Sequence, residues 1–149
     1  MSPSQPAVQS ASHAPTLEQQ AIFPAMKPDQ MPYQEWTNEP NQFDAIDPPT
    51  GYRYALRRGP CGHWCGYVQV PKEHPFYGSN YDNVPVKCHG GLTFASELPG
   101  QDGWWFGFDC AHPGDFLPMM PRTGDTYRNF AFVVQACVQL THDLYKASK

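Results

Sequence analysis

Apolar positions along this chain fall into three regimes. Over the first thirty residues they are nearly missing: M-S-P-S-Q-P-A-V-Q-S-A-S-H-A-P and its continuation consist mostly of Pro, Ser, Ala and Gln. Such a segment buries too little surface to offset the entropy of ordering it, so 1–30 reads as a flexible N-terminal arm. Within it, 17–23 (L-E-Q-Q-A-I-F) has the makings of a helical turn or a docking peptide, too short to stand alone. Residues 31–50 keep Pro, Asn and Asp but add Tyr33, Trp36, Phe43 and Ile46 at intervals. That is the pattern of an extended segment wrapping a domain and pinned by its large side chains. The domain itself is expected to begin near Gly51 and run to the end of the chain.

Alternation over 51–58 predicts a strand, and the R-G-P-C-G that follows is turn chemistry. A second strand is expected over 64–70, where Gly66 signals a bulge or a close backbone approach, and Pro71 ends it. Residues 73–85 form a long polar and aromatic loop, of a length that is often functional. Short strands follow at 86–89 and 92–96, or one bulged strand about Gly90 and Gly91. The run 104–110, W-W-F-G-F-D-C, is almost wholly apolar and reads as the most buried strand of the sheet. From 125 to about 146, Phe130, Val133, Val134, Cys137, Leu140 and Leu144 recur at three- and four-residue steps. This predicts one long helix with Asp125 as its N-cap. The expected fold is α+β: a small, mainly antiparallel sheet, loop-rich, with the C-terminal helix packed on one face.

Composition narrows this picture. At 149 residues with 40% apolar content, the chain suits one domain plus a tail. Its net charge is −4 and its basic residues are scattered apart from Arg53, Arg57 and Arg58, which argues against a nucleic-acid-binding surface. The sequence lacks an eighteen-residue apolar run and the basic and apolar regions of a secretory signal, so a soluble, cytoplasmic protein is expected, with no membrane partner. Five cysteines are an odd number, and in a reducing compartment they read as thiols or ligands rather than staples. Oligomeric state is open.

Groups capable of chemistry are densest over 86–115. His89 directly precedes Gly90 and Gly91, which either make a tight turn or expose backbone N–H groups that an anion can approach. Asp109, His112 and Asp115 form D-x-x-H-x-x-D, in which a carboxylate can orient an imidazole. The structural alternative has Asp109 accepting backbone N–H bonds in a turn and Asp115 capping one. Thr93 adds a hydroxyl, and Tyr77 and Tyr81, in the polar loop, are candidates to stack on a planar ligand. No cofactor is favoured, but Asp109, His112, Asp115 and His89 are also a possible set of ligands for a divalent metal. A structural zinc could draw on Cys61, Cys65, Cys88, Cys110, His89 and His112, although their spacings are not those of zinc knuckles. The smaller role of buried hydrophobe suits Cys65, Cys110 and Cys137 better. Cys110 beside His112 or His89 is a conceivable nucleophile, disfavoured because the apolar run before it implies burial.

The motifs W-C-G-Y-V-x-V-P-x-x-H-P-x-Y-G at 64–78, H-G-G-L-T at 89–93 and G-F-D-C-A-H-x-G-D at 107–115 resemble a group of small proteins of bacteriophages and prophage-bearing bacteria. The resemblance spans roughly 51–145 and implies a setting, that of a phage accessory protein acting on its host in the host cytosol. Together these readings lead to a protein that binds a small polar, nucleotide-like ligand through His89, Gly90, Gly91, Thr93, Asp109, His112 and Asp115. One alternative is a metal-dependent hydrolase with His89, Asp109 and His112 as catalytic candidates. The other is an inhibitor of a host protein that docks through the arm and the aromatic segment 33–43.

Overall fold

Strand periodicity survives where both faces of a strand are covered. In the computed structural model, which describes residues 34–149, five antiparallel strands form one sheet in the order β1-β2-β3-β5-β4. They are β1 (Gln42–Ile46), β2 (Arg53–Arg58), β3 (Trp64–Val70), β4 (Phe94–Ser96) and β5 (Trp104–Asp109). Among the described residues one long helix, α1 (Phe130–Lys146), follows the strands. The α+β reading therefore holds, and the arm with its 17–23 segment lies outside the described residues. No helix among the described residues is long and apolar enough to cross a membrane.

Register sorts the side chains. Leu56 pairs with Gly66 and Gly66 with Phe108, while Tyr54, Val68 and Phe106 fill the neighbouring row. These rows face α1, and with Trp64 they pack against Val133, Cys137, Leu140 and Leu144 of the helix in one apolar core. The four helix residues recur at the three- and four-residue steps expected of a buried stripe. Gly66 is where helix and sheet come closest: a Cβ there would stand 2.6 Å from Cys137 Sγ and from Phe108 Cζ. The glycine inside β3 thus marks a close backbone approach rather than a bulge. On the opposite face a second, smaller cluster of Ala55, Trp105 and Leu98 is flanked by Tyr67 and Phe94.

Three expectations shift. Residues 42–46, expected in a segment wrapping the domain, are instead an edge strand whose Phe43 packs on Tyr54 and Phe130. Residues 86–89 form no strand, because the Gly91 N–H closes a turn onto the Cys88 carbonyl. The helix starts at Phe130, not 125. Asn129 is its N-cap, its side chain accepting from the Phe132 N–H, whereas Asp125 donates its own N–H to Arg122.

Both ends of α1 are tied down. At its start, Glu39 Oε2 accepts from the Phe130 N–H at 2.9 Å. Glu39 Oε1 meanwhile accepts from Tyr127 Oη at 2.6 Å, Trp64 Nε1 at 3.0 Å and Arg58 Nη2 at 3.2 Å. The Arg58 guanidinium also lies 3.7 Å from the centroid of the Trp64 ring. At the far end the buried His74 takes the Phe76 N–H on Nδ1, which leaves Nε2 to donate to the Leu144 carbonyl at 2.7 Å. His74 is therefore a structural histidine. Trp36, in the 3-10 turn Glu35–Asn38, packs on Phe116 and Tyr127. Trp36 and Phe43 of the aromatic segment thus make ring contacts within the fold, and Tyr33 lies outside the described residues.

Removal of the part-buried Glu39 carboxylate leaves three donors and a guanidinium short of an acceptor. Glu39→Ala is expected to lower unfolding stability by about 3–5 kcal/mol, while Glu39→Gln, which keeps an acceptor, loses less. Urea unfolding of the three proteins checks this order.

Candidate functional site

The histidines and aspartates singled out over 86–115 gather with Thr93 at one end of the sheet, where β3 begins and β5 ends. The turn 88–91 brings His89 there, with Gly90 at the third position and φ +70°, as a type II turn requires. β5 delivers Asp109, and the tight loop after it returns His112 and Asp115 to the same place. Asp109 Oδ1 takes the Ala111 N–H at 3.1 Å, and Asp115 Oδ2 takes the His112 N–H at 3.0 Å. An isolated parallel bridge between Asp115 and Thr126 then anchors the loop to the segment leading into α1.

Two aspartate–histidine pairs result. His89 Nε2 lies 2.8 Å from Asp115 Oδ2 and 3.0 Å from Oδ1. Arg128 Nε donates to the same carboxylate at 2.9 Å. The Asp115 side chain is only 1% exposed. Burial alone would raise its pKa, but the hydrogen bonds from Arg128, His89 and the His112 N–H outweigh it and hold the carboxyl below its ordinary 3.8. In the second pair, His112 Nε2 stands 3.1 Å from Asp109 Oδ1. That is ion-pair range without hydrogen-bond geometry, since the nitrogen is buried and has no hydrogen-bond partner. Thr93 Oγ1 donates to Asp109 Oδ2 at 3.1 Å. The two imidazoles are 6.0 Å apart, edge to face.

The expected roles change in several places. Gly90 and Gly91 do not form an anion-binding pair of amides: the Gly91 N–H is used in closing the turn, and Gly90 lies flat against His112, where a Cβ would fall 2.2 Å from the ring. Asp115 is too buried and too fully bonded to touch a ligand; it positions His89. Tyr77 and Tyr81 belong elsewhere. Their loop is held to the start of β5, through the Tyr77–Trp104 ring contact and the Trp104 Nε1 bond to Ser79, at the end of the strand away from Asp109. No group of three or more His, Cys, Asp or Glu side chains among the described residues is arranged to hold a metal ion. Each acid is committed to one histidine, so neither the divalent set of His89, Asp109, His112 and Asp115 nor the zinc set is assembled. Cys65, Cys110 and Cys137 are buried, and burial pushes all three thiols up, Cys65 to about 11. An inert Cys110 follows.

Three residues escaped the sequence reading. Arg128 lies just before the helix cap and meets Asp115 across thirteen residues, with nothing local to mark it. Phe132, on the first turn of α1, is exposed beside the site, its ring 5.3 Å from that of His89 and 5.3 Å from the Arg128 guanidinium. His63 is buried with Nδ1 unpartnered, and burial lowers its pKa against the pull of Asp109 and Asp115.

Because the Asp115 carboxyl is held below its ordinary value when folded, its stabilisation is complete above pH 3.8 and is lost as pH falls through the lower folded value. Asp115→Asn is expected to be less stable at pH 7 by about 3 kcal/mol. It should also show a shallower acid dependence than the parent, the remainder belonging to groups such as Asp47, whose carboxyl is also held low. Urea midpoints from pH 7 to pH 2.5 measure both. The two glycines also separate. Gly91→Ala meets open space and costs about 1–2 kcal/mol of backbone strain, whereas Gly90→Ala adds displacement of His112. Only the Gly90 variant should shift the His112 ring resonances.

No family model matches this chain, and no curated protein or solved structure matches it either, so its functional reading rests on the site itself.

Proposed function

We propose that this end of the sheet binds a small phosphate-bearing ligand of nucleotide type. The observation that carries the reading is the pair of part-exposed imidazoles, 6.0 Å apart and each held by its own carboxylate. Such an arrangement leaves one nitrogen of His89 and the part-exposed ring of His112 to meet the oxygens of one phosphate group, each donating where its free nitrogen carries a proton. Arg128 supplies a permanent positive charge beside them, and Thr93 a hydroxyl. The exposed Phe132 ring offers a face for a base next to the groups that would hold its phosphate. In the phage-type setting implied by the motifs at 64–78, 89–93 and 107–115, the biological form of this reading is sequestration of a nucleotide-like host defence signal.

The His89–Asp115 bond favours a second reading of the same site. A buried carboxylate that fixes one imidazole nitrogen leaves the other oriented as a general base, the geometry of hydrolysis without a metal. Recovery of the ligand distinguishes the two: bound and unchanged for a binding protein, cleaved for a hydrolase.

The test is native mass spectrometry of the protein purified from cells, with calorimetric titration of nucleoside mono- and diphosphates and cyclic dinucleotides. One of these should bind at micromolar or tighter affinity. His112→Ala and Phe132→Ala, which leave the buried Asp115 pairing intact, should each weaken it by about tenfold or more. Affinities no better than millimolar across the panel, or tight binding untouched by both substitutions, would refute the proposal.

A further inference from the structure

The turn between β2 and β3 carries sulfur chemistry that the site above does not use. Cys61 Sγ lies 3.6 Å from Met120 Sδ. The backbone around them is clamped, for the Met119 N–H donates to the Cys61 carbonyl and the Met120 N–H closes a turn on Leu117, both at 2.9 Å. Met119 reaches over Gly62, its Cγ 3.4 Å from where a Cβ would stand. The two methionines are 71% and 59% exposed, and Cys61 is part-exposed. The Cys61 S–H donates to the Met120 thioether, and hydrophobic burial accounts for neither of the two adjacent methionines. Their common property is softness.

We propose that Cys61, Met119 and Met120 form a binding site for one soft monovalent cation of the Cu(I) class. Thiolate and thioether donors select such an ion over the harder divalent metals. With metal–sulfur bonds of about 2.3 Å, the 3.6 Å separation of the Cys61 and Met120 sulfurs subtends about 100° at the ion, and Met119, adjacent in the chain and tied by its N–H to the Cys61 carbonyl, supplies the third sulfur. Binding replaces the Cys61 S–H bond with an S–metal bond, and the proton leaves to solvent; the ion keeps its oxidation state. The other cysteines compete poorly. Cys65, Cys110 and Cys137 are buried, and burial pushes the Cys88 thiol up to about 11.

The experiment uses the full, reduced chain, titrated anaerobically with Cu(I) against a chromophoric Cu(I) chelator and, separately, with Ag(I) under native mass spectrometry. One ion per chain, release of one proton per ion, and protection of Cys61 from alkylation are expected. Met120→Leu and Met119→Leu preserve volume at exposed positions and should fold normally, yet lower the affinity about tenfold each, while Cys61→Ser removes binding. Affinity unchanged in both leucine variants would reduce the site to an ordinary thiol and overturn the proposal. So would an ion found on Cys88, or failure to compete with the chelator.

Discussion

A single carboxylate holds the two halves of this domain in register. Glu39 stands on the connection between a 3-10 turn and the edge strand β1, and its two oxygens receive groups from β2, β3, the segment before α1 and the first amide of α1 itself. Apolar burial drives helix and sheet together but is indifferent to sliding along the interface. Directional bonds from four places onto one anion are not. Because Glu39 sets where α1 begins, it also sets where Arg128 and Phe132 stand, and through Arg128 it reaches the carboxylate that orients His89.

Asp115 repeats the device on a smaller scale. It gathers a guanidinium, an imidazole and a backbone amide from three stretches of chain, and the gain from those bonds exceeds the cost of burying its charge. The contrast with Asp109 is informative. That carboxylate is part-exposed, bonded to Thr93 and an amide, and near its histidine without a hydrogen bond to it. His89 is thus fixed by its hydrogen bonds to a carboxylate, whereas His112 is placed by packing against Gly90.

How much of this was legible depends on the range over which each feature is determined. β3, β5 and α1 were readable because their periodicity is local and their covered faces enforce it. β1 was not: Q-F-D-A-I alternates for only five residues at an edge, between Pro40 and Pro48–Pro49, and its strand character comes from pairing with β2. The helix is capped at Asn129 rather than Asp125, and Tyr127 between them is drawn to Glu39. In the site, His89 and D-x-x-H-x-x-D announced themselves by density of functional groups, and the fold does bring them together. Their pairing, His89 with Asp115 and His112 with Asp109, could not be read from spacing. Nor could Arg128, Phe132 or the demand that His112 places on Gly90, since each is a contact between stretches that the sequence keeps apart.

The anchoring of α1 at both ends bears on how the molecule moves. A helix normally frays from its termini, opening with little free energy while the middle stays closed. Here Glu39 holds the first turn, and His74, reaching from the loop after β3, holds the last. Opening either end means releasing a part of the sheet or its loops as well, which places the amides of α1 in the same cooperative unit as the central strands. Phe132, whose ring meets that of His89, therefore belongs to this unit. Whatever meets it encounters a surface formed in advance, and recognition draws little of its energy from ordering the protein.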